Sequence, residues 1–297
     1  MTEADDVAAR IDAERPQLLG LAYRMLGTVA DAEDAVQEAY VRWLRQTPAE
    51  RAAIENAGAW LTRVVSRICL DMLGSARARR ELYVGDWLPE PVPGGSMPAA
   101  SAPVDPLDHV TLDESVSTAL LVVLESLTPA ERVAFVLHDV FGVPFAQIAE
   151  TVGRSPDAAR QLASQARRRV RERRPGSASR AEHDAVAQAF AAALATGDLG
   201  TLVAVLDPDV VLRSDGGGRV SAARQPVLGA DRVGRFLLGV PRLQPGATVE
   251  ATQTADGLAF LVRMDGRADS IVSVAVAGGV VTDVWIVRNP DKLTLWR

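Results

Sequence analysis

A single cysteine, Cys69, stands in 297 residues, which rules out a disulfide within the chain and any zinc site built from thiolates. Histidine is almost as scarce. His109, His138 and His183 lie far apart and in no metal-ligand spacing, so metal chemistry finds no ligand set here. No run approaches the roughly 20 uninterrupted apolar residues that cross a bilayer. The opening Met1-Thr2-Glu3-Ala4-Asp5-Asp6 is acidic where an export leader is basic. These absences lead us to expect a cytoplasmic protein with no membrane partner, no metal and no cofactor.

Apolar residues make up 48% of the chain, enough over this length for two or three separate cores. The net charge is −6, which by itself argues against a nucleic-acid partner, but a total hides its distribution. Between Arg154 and Arg174 eight arginines face only Asp157 and Glu172, a local excess of six positive charges. That segment is an electrostatic footprint for phosphate.

The periodicity predicts helix throughout residues 11–82, within a first block of residues 1–84. One helix has Asp31 as its N-cap and an apolar stripe through Ala35, Val36, Ala39, Tyr40, Trp43 and Leu44. A second starts near Ala57, runs through Trp60, Leu61, Val64, Val65, Ile68 and Met72, and has Arg77, Arg79 and Arg80 just beyond it. From Gly85 the pattern collapses into prolines and glycines, so residues 85–112 are expected to be a linker. Its first part, Trp87-Leu88-Pro89-Glu90-Pro91, places an aromatic beside rigid prolines. That suits docking onto another surface, and equally the closing of the first helical core.

Residues 113–175 predict four helices with clear punctuation. Thr128-Pro129-Ala130-Glu131 is a capping box with proline at the first helical position, and Gly142 ends that helix. Phe145 to Val152 forms a short helix, Gly153-Arg154 a tight turn, and Ser155-Pro156 caps a long final helix. Residues 181–297 read as one helix, Ala181 to Thr196, followed by strands at 209–214, 247–254, 258–265, 269–276 and 280–287. The expected architecture is multidomain: two all-α blocks, the second with a helix-turn-helix, then an α+β domain with a curved antiparallel sheet.

A short helix, a glycine turn and a second helix suit the major groove, because the second helix presents its N-terminal side chains to base edges. Arg160, Gln161 and Ser164 would share that exposed face. Arg167, Arg168 and Arg171 would neutralise phosphates. In the first block, the acidic cluster Asp31, Glu33, Asp34 and Glu38 fits a basic protein partner or simply a helix N-terminus. Trp60 with Arg63, Arg67 and Arg77 combines a stacking surface with cations, which is how unpaired bases are held.

Four segments resemble, in order and spacing, the extracytoplasmic-function sigma factors: Asp31-Ala-Glu-Asp-Ala-Val-Gln-Glu-Ala39, Ala59-Trp-Leu-Thr-Arg-Val-Val65, Leu127-Thr-Pro-Ala-Glu-Arg132 and Ile148-Ala-Glu-Thr-Val-Gly153. The resemblance covers about residues 11–174. It implies that 1–84 is sigma region 2 and 113–175 sigma region 4, and that the partners are bacterial RNA polymerase core and promoter DNA. By the same resemblance, Asp31, Asp34, Gln37 and Glu38 would meet the clamp helices of the largest polymerase subunit. Asn56 through Trp60, with Arg63, Ser66 and Arg67, would melt and read the minus-ten element. Arg160, Gln161 and Ser164 would read the minus-thirty-five element. Here Ala158-Ala159-Arg160-Gln161 replaces the commoner Thr-Val-Lys-Ser, so the resemblance does not carry over an upstream sequence preference.

Two tail motifs, Asp215-Gly216-Gly217-Gly218-Arg219 and Asn289-Pro290-Asp291-Lys292-Leu293, read on their own as a glycine turn and a chain end. Together with the Trp87–Pro91 motif they resemble the sigma subgroup that carries a SnoaL-like domain of the NTF2-like superfamily. That implies a cone-shaped α+β tail acting on sigma activity in cis, in place of a separate anti-sigma protein. The cone would offer a pocket for a small apolar ligand. We expect Trp87 to be buried on the tail, with Arg219 or Lys292 serving Glu90. Two rival readings remain at this point. A catalytic tail would need a buried carboxylate or histidine on the pocket floor, whereas His183 sits on the first tail helix and the aspartates lie mostly at turns. A dimeric repressor would bind a palindrome without polymerase, and would leave the acidic helix and the Trp60 segment without a purpose.

Overall fold

The computed structural model describes residues 3–80, 83–96, 117–173, 178–243 and 245–296. These residues form two compact units. The first holds 3–79 and 120–173, and the second holds 83–96, 117–119 and 178–296.

The first unit is all-helical. Helix α1 (Glu3–Leu26) is followed by α2 (Val29–Leu44), the short α3 (Pro48–Ala52) and α4 (Ala57–Arg80). The N-cap of α2 is Thr28, not Asp31: the Thr28 hydroxyl accepts from the Asp31 N–H and donates to the Asp31 carboxylate at 2.7 Å. Asp31 is therefore the third residue of the helix, where its charge meets the positive end of the dipole. Helix α4 also runs farther than expected and takes in Arg77 and Arg80. Buried Ala32, Ala35, Val36, Ala39 and Trp43 repeat at helical spacing along α2 and pack it on the core.

The same unit continues with α5 (Thr118–Glu125), whose first two residues belong to the second unit, α6 (Pro129–Phe135), one π turn over Val136–Val140, α7 (Phe145–Val152) and α8 (Pro156–Arg173). The capping box at Thr128 and Glu131 is present with both reciprocal bonds. Gly153, at φ 64°, ends α7 in the left-handed region that glycine adopts without strain. Buried Ala159, Ala163, Ala166 and Val170 form the inner face of α8, and their small volume lets it lie close to its neighbours. Arg132 is 3% exposed. Its guanidinium donates to the carbonyls of Leu124 and Met25 and pairs with Glu125 at 2.6 Å, so one buried cation ties the end of α1 to α5 and α6.

The second unit is α+β. Helix α9 (Arg180–Thr196), capped by Ser179 and Glu182, leads to α10 (Leu199–Val203), β1 (Leu206–Asp215), β2 (Val227–Leu228), α11 (Ala230–Leu243), β3 (Thr248–Thr254), β4 (Gly257–Met264), β5 (Arg267–Ala277) and β6 (Val280–Val287). The sheet order is β2-β1-β6-β5-β4-β3, with register irregularities in β1–β6, β4–β5 and β5–β6. The expected antiparallel sheet holds except at one place, since β1 and β6 run parallel. Phe190, Leu202, Val210, Leu212, Val233, Leu237, Val274 and Val284 belong to one apolar core formed by α9, α10, α11 and the sheet. Helix α11 falls outside the elements that the sequence pattern predicts.

Of the expected linker 85–112, residues 85–96 belong to this second unit, and 97–112 lie outside the described residues. Leu88 through Val92 are buried. Pro93 forms a bridge to Thr254, and the Gly94 N–H donates to Gln253 O at 2.9 Å, so the segment covers the edge strand β3.

Candidate functional site

Three sets of residues stand out: the exposed faces of α2 and α4, the outer face of α8, and a buried polar cluster in the second unit. On α2, Asp34 and Gln37 are exposed and carry no fold-internal bond among the described contacts, while Asp31 serves the cap and Glu38 pairs with Arg42 at 2.9 Å. Asp31, Asp34 and Glu38 recur at helical spacing, so one side of the helix presents an acidic edge.

Asn56 caps α4, its Oδ1 accepting from the Ala59 N–H at 2.9 Å. Trp60 is half-buried and meets Trp43 edge to face, with centroids 5.2 Å apart. Ser66, expected among the base-reading residues, is wholly buried, and its hydroxyl donates to Thr62 O one turn back. It is a helix-internal residue without access to a base. Arg63 and Arg67 are exposed and share one partner on α7: Arg63 pairs with the Glu150 carboxylate at 2.9 Å and Arg67 donates to the Glu150 carbonyl at 2.8 Å. No sequence pattern singles out Glu150. The side chain of Arg77 lies outside the described residues.

Arg160, Gln161 and Ser164 all lie on the exposed face of α8, opposite its alanine face. Arg160 pairs with Asp157 at 2.9 Å and lies over the Phe145 ring at 5.3 Å, two exposed contacts that hold it upright on the first turns of the helix. Arg168 is 75% exposed and only loosely paired with Glu172, at 3.6 Å. Arg167 departs from expectation. It turns inward to the buried Asp139 at 2.7 Å, so its charge meets a carboxylate of the core and not the outer face of the helix. Arg169 likewise pairs with the capping Glu131 at 2.8 Å.

The second unit brings the two tail motifs and the Trp87–Pro91 motif together. Asp215, at the end of β1, is fully buried, and its carboxylate receives four donors. Tyr83 Oη at 2.6 Å and the Gly217 N–H at 2.9 Å reach Oδ1, and the Leu88 N–H at 3.0 Å and Lys292 Nζ at 2.7 Å reach Oδ2. Lys292 also donates to Leu88 O and lies 3.9 Å from the ring centroid of Trp87, which is half-buried rather than wholly enclosed. Asn289 donates to Tyr83 Oη at 3.0 Å and accepts from the Asp291 N–H. Trp296 Nε1 donates to Pro91 O at 2.8 Å. Burial, then the hydrogen bond to Asp215 and its charge, push the Tyr83 phenol well above its ordinary range, so it remains a donor.

Of the two cations expected to serve Glu90, Lys292 pairs with Asp215, and Arg219 pairs with Asp291 at 3.1 Å on the surface. Glu90 and Pro89 are buried within the seat, as is Leu293, while Pro290 is exposed. The glycines fit tightly. A Cβ on Gly217 would stand 2.5 Å from the Asn289 side chain, and one on Gly216 would run into the Val220 carbonyl. Gly218 is exposed and left-handed, at φ 69°. Tyr83 and Trp296 were missed in the sequence; a lone aromatic just before a proline-rich motif and another at its far partner were the available signals.

A cavity of about 970 Å³ lies between α9, α11 and the sheet of this unit. Its walls are mostly apolar, and no cluster of metal-ligating side chains occurs among the described residues. Nor is any helix among the described residues long and apolar enough to cross a membrane.

Comparison with known proteins bears on all three sets. Residues 11–79 match the family described as Sigma-70 region 2, and residues 117–170 match Sigma-70, region 4. The chain is 44% identical to the ECF RNA polymerase sigma factor SigJ of Mycobacterium tuberculosis, over 96% of this chain and 93% of that one. It is 40% identical to the probable ECF RNA polymerase sigma factor SigI of the same species, over 99% and 97%. The fold superposes on the crystal structure of M. tuberculosis SigJ with a TM-score of 0.74 and 38% identity, covering 97% of this chain and 98% of that one.

Proposed function

Because the chain belongs to the extracytoplasmic-function sigma factors, which are transcription initiation factors and not enzymes, we propose how its surfaces divide that work. Asp34 and Gln37, flanked by Asp31 and Glu38, bind the clamp helices of the largest polymerase subunit. Asn56, Trp60, Arg63, Arg67 and Arg77 engage the minus-ten element, with Trp60 as the stacking surface. Arg160, Gln161 and Ser164 read bases of the minus-thirty-five element, and Arg168 binds phosphate. The observation that carries this reading is the two-faced α8, with small buried alanines inside and Arg160, Gln161 and Ser164 free to face a groove.

The second unit acts on this activity in cis. Its support is the seat around Asp215, where residues 87–91, 215–219 and 289–293 close on one another. A small, mainly apolar ligand in the cavity of the same unit is the corresponding input. Run-off transcription with core polymerase tests the reading, using the full chain and truncations ending before Asn289 and before Arg180. Promoter-specific transcripts are expected, with an output that changes on truncation. Absence of initiation on every template, even after removal of the tail, would refute it.

A further inference from the structure

The cavity of the second unit and the seat of residues 87–91 meet at one residue, Arg288. We propose that the cavity binds a neutral, largely apolar molecule bearing a single oxygen at one end, and that Arg288 transmits its occupancy to the seat. This rests on reading the tail as a regulatory domain acting in cis.

A volume of about 970 Å³ suits a drug-sized organic molecule. Phe190, Leu194, Phe236 and Val240 supply the apolar wall. The polar exceptions gather at one end of the sheet. Ser270, one position beyond the Ile271–Val287 pair, faces Arg288 across β5 and β6, and Ser214 pairs with Ile286 two positions earlier. Ser214 and Ser270 are only 3% and 4% exposed, both line the cavity, and neither hydroxyl bonds to any of the described residues. Hydroxyls that line a cavity and bond to none of the described residues are available to a guest, so two at one end mark where a ligand's oxygen would be received.

The charge of that oxygen follows from the ion pairs. Arg288 is held by Asp269 through two contacts, at 2.8 and 3.2 Å, and Arg235 on the opposite wall is held by Asp231 at 2.8 Å. Both cations are already neutralised, so a carboxylate would be desolvated without an uncompensated partner. A carbonyl or hydroxyl carries no such penalty. Arg288 then links the cavity to the seat, because its Nη1 donates to Ser221 O at 2.6 Å and its N–H donates to Asp215 O at 2.7 Å. Asp215 in turn holds Leu88 and Lys292. Fixing Ser214 and Ser270 fixes the strand ends from which Asp215 and Arg288 follow.

The test uses the full chain and Nile red, a neutral polycyclic dye with one carbonyl, whose emission rises in apolar surroundings. A saturable rise with one site per chain is expected. Gly239 lines the cavity, and an added Cβ there meets nothing within 4 Å, so Gly239→Phe fills the space without displacing the wall. It should weaken the dye at least about tenfold, and Ser214→Ala with Ser270→Ala about fivefold. At ten times Kd, exchange of the Leu88 amide should slow about tenfold by mass action, and should not slow in Gly239→Phe. If that variant loses thermal stability, Gly239→Leu takes its place. Non-saturable binding, or binding that survives the filled cavity, overturns the site. Saturable binding with unchanged Leu88 exchange overturns the transmission. Run-off transcription with the same preparations separates this from the sigma reading: lost dye binding with intact transcription refutes the cavity alone, and the converse refutes the sigma assignments alone.

Discussion

Asp215→Asn asks whether the seat for residues 87–91 depends on one buried charge. The side chain is fully buried, and its two oxygens receive four donors. The amide keeps the shape, accepts two of those four bonds and turns a donor toward the other two. Lys292, whose side chain is 5% exposed, loses the Asp215 charge. Removing one member of a buried pair costs about 3–5 kcal/mol. Because half of the acceptors survive and the Trp87 ring still faces Lys292, the lower end, about 3 kcal/mol, applies here. In a unit of this size each kcal/mol moves the midpoint by about 2–4 °C, so the transition of the tail should fall by about 6–12 °C. Exchange of the Leu88 amide should rise about a hundredfold on the same scale. Removing both charges, Asp215→Asn with Lys292→Met, takes out both members of the pair and should recover about half of the loss. Calorimetry and amide exchange on the full chain measure both. A fall of less than about 2 °C, or a double variant no better than the single one, would refute the argument.

Arg160→Ala should cost about 1–3 kcal/mol at one upstream base pair and relax the preference there. Arg168→Ala should instead weaken all templates alike and reduce the slope of log K against log salt by about 1. Anisotropy of the holoenzyme on promoters with single base changes distinguishes them, and a uniform loss in Arg160→Ala would remove it from the reading set. Gly217→Ala places a Cβ 2.5 Å from Asn289 in a left-handed backbone, and should destabilise the tail by about 1–3 kcal/mol, read as a lower thermal midpoint. Gly218→Ala, which has 3.4 Å of clearance, should cost only about 1 kcal/mol, and equal midpoints for the two would contradict the packing described for Asn289.

Local rules made much of this fold legible. The capping box at Thr128 and the turn glycine at 153 each lie within a few residues of what they determine. Helix α11 was hidden because Gly234, Gly239 and Pro241 are poor helix formers, and its burial against the sheet overrides them. The parallel pairing of β1 with β6 joins segments about seventy residues apart, beyond any periodicity. Thr28 was readable in hindsight, since a threonine three residues before an acid is a capping pattern. The site shows the same division. The exposed face of α8 follows from helical spacing, whereas the role of Asp215 depends on Tyr83, Leu88 and Lys292 arriving from distant parts of the chain. Nothing local distinguishes Arg167, which turns inward to Asp139, from Arg168, which does not.

Glu150 already occupies Arg63 with its carboxylate, an anion of the chain's own making, and Arg67 with its backbone carbonyl. It is a resident decoy, and every other anion must outcompete it. An exposed carboxylate pairing of this kind is worth about 0.2–1 kcal/mol, too little to exclude a dense polyanion and enough to discount a stray acidic side chain. On the proposed minus-ten reading, the charge density of the incoming strand, before any base is read, would set the threshold at which Arg63 changes partner.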